Sequence, residues 1–440
     1  MTKSLFSAFE KVSSKAWKQK IQVDLKGADY NDTLIWKTTE GIDVRPFYHQ
    51  DEMVETIKLQ PQQWSVGQII FVQNEKASNI KALDAIERGA ETIKFIIPNK
   101  DISAVNTLDN IDVNTTNIQF ELLFSDSEYI NNLNTISSTI QVLVDPVGHL
   151  ATTGNWFETT NNNLVLSSQI TVNTTTYQNA GASIVQQLAY GLAHLNEYFN
   201  DISNNSTNLE VVHFNIAVGT NYFFEIAKLR ALRALYNTLA SEYDCQAKLY
   251  VNVIPTKRNK TIYDYNTNML RTTTECMSAI LGGANTVFNL PYDAIYHKDN
   301  EFGERIARNQ LLILKNESYF DAVNNASDGS YYIETLTSQL AEKALVLFKD
   351  IEANGGFIAQ LKEGTIQKKI KESANKEQEL FDSGKITLLG TNKHPNKNDR
   401  MKDELELFPF LKTNPRKTLI IPIIEKRLAE TLEQNRLKTE

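Results

Sequence analysis

The sequence predicts an α/β fold whose parallel strands close into a TIM-type (β/α)8 barrel, with an N-terminal arm before it and a linker and helical tail after it. From about Ile69 onward, short β-branched runs alternate with amphipathic stretches. Those runs read as apolar along their length, as strands covered on both faces require, and parallel neighbours need helical crossovers between them. Roughly eight runs favour a closed barrel over an open doubly wound sheet, although periodicity by itself does not separate the two.

Taken in order, residues 1–45 read as an arm in which Phe6, Phe9 and Val12 fall at helical spacing. The arm is expected either to contact another subunit or to fold back on its own barrel. The barrel is assigned to 46–385. IIFVQ at 69–73 is followed by ASNIKALDAIERG, an amphipathic helix closing at Gly89. TIKFIIP (92–98), IQFELLF (118–124) and TIQVLVDP (139–146) are the next strands. LVLSSQITVN then leads to a helix around GASIVQQLAYGLAHLNEYF, with Val185, Leu188, Ala189 and Leu192 on one face. VVHFNIAVG and AKLYVNVIP flank the helix FFEIAKLRALRALYNTLA, and NTVFNLP completes the set. Gly282–Gly283 fits a helix C-terminus that needs positive φ before that last strand. The remainder, 386–440, opens on the polar, punctuated GTNKHPNKNDR, read as a linker, and ends in an apolar strip and helix, TLIIPIIEKRLAETLEQNRLKTE.

Composition narrows the function classes. A chain of 440 residues can hold one large barrel with appendages. A net charge of −8 argues against a nucleic-acid surface. The most basic stretch, Lys368 to Lys376, is interrupted by Glu372 and reads as a solvated helix face. Two isolated cysteines, Cys245 and Cys276, make neither a zinc site nor a disulfide framework. The first residues lack a signal-peptide pattern, and no run approaches the ~18 apolar residues of a membrane span. A cytoplasmic protein is expected, with no nucleic acid and no membrane among its partners.

Several segments together resemble the methylmalonyl-CoA mutase family. They are KIQVDLKGADYNDTLIWKTTEGIDVRPFY from Lys20, NYFFEIAKLRALR (221–233), RNKTIYDYNTNMLRTTTECMSAILGGANTVFNLPYD (258–293) and FGERIARNQ (302–310). The resemblance covers about residues 15–375 and the tail, and it selects the closed barrel. It implies a protein that takes part in the adenosylcobalamin-dependent interconversion of methylmalonyl-CoA and succinyl-CoA.

At the positions where a catalytic member of that family carries its working residues, this sequence differs. The family's W-T-I-R-Q-Y corresponds to WSVGQI, which puts Gly67 in the place of the arginine and Ile69 in that of the tyrosine. Its G-Y-H-I-R-E-A-G-A corresponds to TTTYQNAGA, so Thr175 replaces the tyrosine and Thr176 the histidine. A threonine hydroxyl neither reaches as far as an imidazole nor supplies comparable electrostatic stabilisation. A looser match of T-H-C-Q-T-S-G to VNVIPTK places Asn252 near a further histidine position. The family's glutamine- and arginine-bearing segment has no clear counterpart in DPVGHLATTGNWFETT. His194 and His213 read as structural histidines, and Arg271 as a structural ion-pair partner of Glu275 or Asp264.

Cobalamin bound with its lower base displaced requires an Asp-x-His-x-x-Gly motif, whose histidine ligates cobalt and whose aspartate orients it. None of His49, His149, His194, His213, His297 and His394 lies in that pattern. No catalytic, cofactor-binding or metal-binding residue is therefore expected in this chain, nor a cobalamin-binding domain. Adenosylcobalamin is expected in a partner, the catalytic large subunit of a heterodimer, which this chain would stabilise. Two alternatives stay open: an acyl-CoA-binding subunit completed by a separate cobalamin protein, and a stand-alone barrel with a binding or regulatory role.

Overall fold

The computed structural model describes residues 5–58, 63–158, 164–165, 167–205, 208–412 and 415–440. Eight parallel strands form the barrel: β1 (Ser65–Phe71), β2 (Thr92–Ile97), β3 (Asn117–Leu122), β4 (Gln141–Leu143), β5 (Gln169–Asn173), β6 (Val211–Val218), β7 (Lys248–Pro255) and β8 (Thr286–Phe288). Their hydrogen-bonded order is β4-β3-β2-β1-β8-β7-β6-β5. The gap between β4 and β5 is bridged by the Gln169 side chain, whose Oε1 accepts from Val142 N at 3.1 Å and whose Nε2 donates to the Ile140 carbonyl at 3.4 Å. All eight runs named from the sequence overlap a strand of this barrel, although β1 begins at Ser65, ahead of the run IIFVQ.

In one respect the strands differ from that reading. They are apolar on one face only. Side chains alternate along a strand, and the outward row packs into the cores beneath the helices, with Ile93, Phe95, Ile118, Phe120, Val172, Phe214, Val251 and Val287 all buried there. The opposite row carries Lys94, Gln119, Glu121, Thr171, His213, Asn215, Asn252 and Thr286, brought level by the register of neighbouring strands. A barrel of this type usually fills its interior with branched apolar side chains. This interior is largely polar, with Ile69 and Phe288 among its apolar members.

The arm also departs from expectation. Phe6, Phe9 and Val12 do not share a helix; the chain there makes turns, and the first helix is Ser14–Asp24. Ser13 sets that start, because its hydroxyl accepts from Ala16 N and caps the first turn. Phe6 and Phe9 remain 72% and 75% exposed. Further on, a short hairpin (Trp36–Lys37 against Asp43–Val44) presents Glu40 to the barrel. Its two carboxylate oxygens accept from Ile184 N and Val185 N, each at 2.9 Å, and cap the long helix Ile184–Asn205.

After the barrel, the tail returns over the loops that follow β4, β5 and β7. Ile420 N and Ile423 N donate to the carbonyls of Gly154 and Ala151, and Lys426 N to that of Asn179. Ile420 and Ile423 are buried, whereas Leu419 and Ile421 point outward. Pro422, which has no N–H, fits this extended strap rather than a helix. The terminal helix begins only at Glu430 and runs to Leu437. Of the two glycines at 282–283, Gly283 alone takes positive φ (90°). Gly282 is needed for space, since a Cβ there would lie 2.8 Å from Leu229 Cδ1.

Candidate functional site

Sites in such barrels form at the C-terminal ends of the strands. Here that end holds a cavity of about 280 Å3, lined among others by Glu121, Asp145, His149, Thr152, Thr171, Asn173, Thr176 and Asn215. The short helix Pro146–Thr153 forms one wall, with Asp145 as its N-cap accepting from Gly148 N at 2.7 Å. This helix is built from the stretch that has no counterpart in the family motif.

Of the positions singled out from the sequence, Thr176 reaches the cavity. It is buried, and its hydroxyl lies 3.4 Å from that of Thr152. Thr175 instead bonds to Asn173 Oδ1 at 2.6 Å. Ile69 sits level with Lys94 in the inward row, and neither it nor Thr175 lines the cavity. Asn252 lies within the bore, donating to Asn215 Oδ1 at 3.0 Å and accepting from Gln119 Nε2 at 3.0 Å.

Those contacts belong to a network that crosses the barrel. In an eight-stranded barrel β2 faces β6 and β3 faces β7. Lys94 Nζ on β2 donates to Asn215 Oδ1 on β6 at 3.3 Å, and Gln119 on β3 donates to Asn252 on β7. Gln119 also donates to Gln141 Oε1 at 2.9 Å, and Lys94 pairs with Glu121 at 3.3 Å. The Lys94 ammonium stands 4.7 Å from the centroid of Phe288, whose ring covers Gly67 so closely that a Cβ there would overlap it. Two bonds between opposite strands and one ring thus occupy the bore. Burial pushes the Lys94 amine below its ordinary value, against the pull of Glu121.

His194 and His213 are both fully buried and hydrogen-bonded. His194 is fully buried, with Nε2 2.9 Å from Asp145 Oδ1 and Nδ1 3.0 Å from the Tyr177 hydroxyl. The carboxylate can only accept, which places a proton on Nε2. Tyr198 donates to the same oxygen at 2.6 Å. Burial alone would raise the Asp145 carboxyl, but His194 and the hydrogen bonds from Tyr198 and Gly148 N outweigh it and hold it below the usual value.

His213 sits in the bore, 3.2 Å from Gln169 Oε1, and burial together with the Lys94 charge pushes its pKa down to about 3. A histidine depressed from 6.5 contributes stability that is whole above its unfolded pKa and lost as pH falls toward 3. Replacing His213 with glutamine is therefore expected to flatten the stability profile between those limits, by up to about 1.4 kcal/mol per pH unit. Urea denaturation of both proteins across that range measures the difference.

Arg271 has none of the ion pairs expected of it. Its guanidinium donates to Thr261 Oγ1, Asn268 Oδ1 and the Leu389 carbonyl at 3.1, 2.8 and 2.6 Å. Glu275 is taken by Lys260 at 2.7 Å, a pair buried on both sides. The backbone of the linker, a distant partner that local sequence does not reveal, supplies one acceptor.

At about 280 Å3, the cavity at this mouth is too small for a whole corrin ring to enter. His149, the one histidine lining it, stacks on Phe157 at 3.9 Å between ring centroids. Among the described residues no group of three or more His, Cys, Asp or Glu side chains is placed to hold a metal, and no helix is long and apolar enough to cross a membrane.

The polar bore, Asp145 and His149 were not singled out from the sequence. The signal for the bore was present as a polar residue at every second position in TIKF, IQFEL, VHFNI and LYVNV.

Comparison with known proteins gives a consistent picture. A family model described as methylmalonyl-CoA mutase matches residues 133–419. The methylmalonyl-CoA mutase small subunit of Porphyromonas gingivalis is 33% identical over 92% of this chain and 73% of its own length. That of Streptomyces virginiae is 35% identical over 46% of this chain and 34% of its own. The methylmalonyl-CoA mutase of Cereibacter sphaeroides is 36% identical over 49% of this chain, a match spanning 32% of that relative.

Proposed function

The chain belongs to the methylmalonyl-CoA mutase family, and from that premise we propose that it is a small subunit, itself non-catalytic, which pairs with a catalytic large subunit and stabilises it. Adenosylcobalamin and the interconversion of methylmalonyl-CoA and succinyl-CoA belong, in this reading, to the partner. The observation that carries it is the occupied bore. An extended acyl-CoA cannot lie along an axis crossed by Lys94–Asn215 and Gln119–Asn252 and capped by Phe288 over Gly67. Ile69, Thr175, Thr176 and Asn252 offer no acid, base or cation in its stead.

The same observation weighs against an acyl-CoA-binding subunit completed by a separate cobalamin protein. For the heterodimer, support comes from the names of the relatives, which include small and large subunits in two organisms. The arm adds exposed apolar side chains, Leu5, Phe6, Phe9 and Val23, suited to burial against another chain.

Size-exclusion chromatography of the chain mixed with its large subunit tests the pairing. A complex of one copy of each, melting above the large subunit alone, is expected. Separate elution of the two, with an unchanged melting temperature, would remove the heterodimer from the account.

A further inference from the structure

Away from the barrel mouth, the chain builds a second concavity that the mutase reading does not use. It measures about 470 Å3 and lies between the loop after β7, the linker and the terminal helix. Three cations line it: Lys397, Arg400 and Arg436.

Of the three, Arg436 is ion-paired, with Glu440 at 4.0 Å. No carboxylate pairs with Lys397 or Arg400 within ion-pair distance among the described residues. Arg400 spends Nη1 on the carbonyls of Lys397 and Asp399, and Arg436 spends Nη2 on those of Asn396 and Asp399. Neutral carbonyls orient a guanidinium without cancelling its charge. Arg436 also lies 3.8 Å from the centroid of the Tyr263 ring, which fixes its plane.

Two acids stand nearby, Glu440 and Asp399, each oriented by neutral donors that leave its charge in place. Glu440 lines the concavity, but its carboxylate accepts from the Tyr263 hydroxyl at 2.6 Å and from Met401 N and Lys402 N, each at 3.0 Å, and stands 4.0 Å from Arg436. Asp399 accepts from Asn396 Nδ2 and from Asp264 N. Apolar surface completes the walls at Pro395 and at Leu432, which is 37% exposed. The volume lies within the range of organic ligand sites, about 300–1,000 Å3.

We infer that this concavity is a binding site for a phosphate ester of nucleotide size, with its phosphates on Lys397, Arg400 and Arg436 and its organic body between Pro395 and Leu432. Guanidinium groups held in fixed planes suit phosphate oxygens because they donate in parallel pairs. The apolar walls give an ester an advantage over the bare ion. The site is independent of the barrel, so its failure would leave the subunit assignment untouched.

Titration calorimetry of the full chain with AMP, ATP and inorganic phosphate tests the inference. Saturable binding of a nucleotide is expected, about tenfold or more tighter than inorganic phosphate, and weakened by at least about tenfold in the double variant Lys397→Glu, Arg400→Glu. Both side chains are exposed, so the variant should melt with the wild type. Absence of saturable binding by any probe would overturn the site. So would equal affinity for phosphate and nucleotide, or nucleotide binding that the double variant leaves unchanged.

Discussion

Replacing Glu334 with alanine is expected to destabilise the protein by about 3–5 kcal/mol, the range for removing one partner of a buried ion pair. Arg230 and Glu334 are both fully inaccessible as side chains and meet at 2.6 Å. Arg230 also binds Asp328 and donates to the Ile57 carbonyl at 3.0 Å, while Glu334 accepts from Ile57 N and Gly329 N. The pair joins the helices Tyr222–Glu242 and Tyr331–Ala353 to the segment that enters the barrel. Removing the carboxylate leaves a guanidinium buried with one acid in place of two and frees two backbone donors. The double variant Arg230→Met, Glu334→Leu should lose less than Glu334→Ala, because no fully buried charge is left unpaired, Asp328 keeping 16% of its side chain exposed. Urea denaturation measures both, with an unchanged m-value confirming that the native state has kept its extent.

Gly67→Ala is the second large effect expected, about 1–3 kcal/mol from overpacking. The added methyl would overlap the Phe288 ring and lie 2.8 Å from Thr286 Cγ2. Neither neighbour has room to retreat, since Phe288 is 1% exposed and Thr286 fully buried. Phe288→Ala alone should also destabilise, by about 3–5 kcal/mol. Combined, the two changes should lose less than their sum, because each relieves the defect made by the other. Strict additivity would mean that Phe288 does not press on Gly67 and does not fill the bore.

The relation between sequence and structure is uneven in an instructive way. Strands were legible because a run such as TIKFII or VVHFNIAV needs only its own residues to be recognised. The helix over 184–205 was legible for the same reason, through its apolar face. What local pattern could not show is contact between distant residues. Lys94 meets Asn215 and Gln119 meets Asn252 only because a barrel brings opposite strands together. Arg271 binds the carbonyl of Leu389 across 118 positions, so the expected local carboxylate was the wrong partner. At the arm, helical spacing of Phe6, Phe9 and Val12 gave way to the Ser13 cap, since those side chains find no core to bury against. Thr176 lines the mouth, whereas Ile69, Thr175 and Asn252, grouped with it by motif, lie in separate surroundings.

The central claim, that this chain supports catalysis without performing it, is tested most directly by measuring conversion of methylmalonyl-CoA to succinyl-CoA in the presence of adenosylcobalamin. Three samples are compared: this chain, its large subunit, and the two together. The account predicts no turnover by this chain and the highest, most durable activity in the mixture. Turnover by this chain alone would contradict it, and would mean that the cross-bore contacts of Lys94 and Gln119 open to admit substrate.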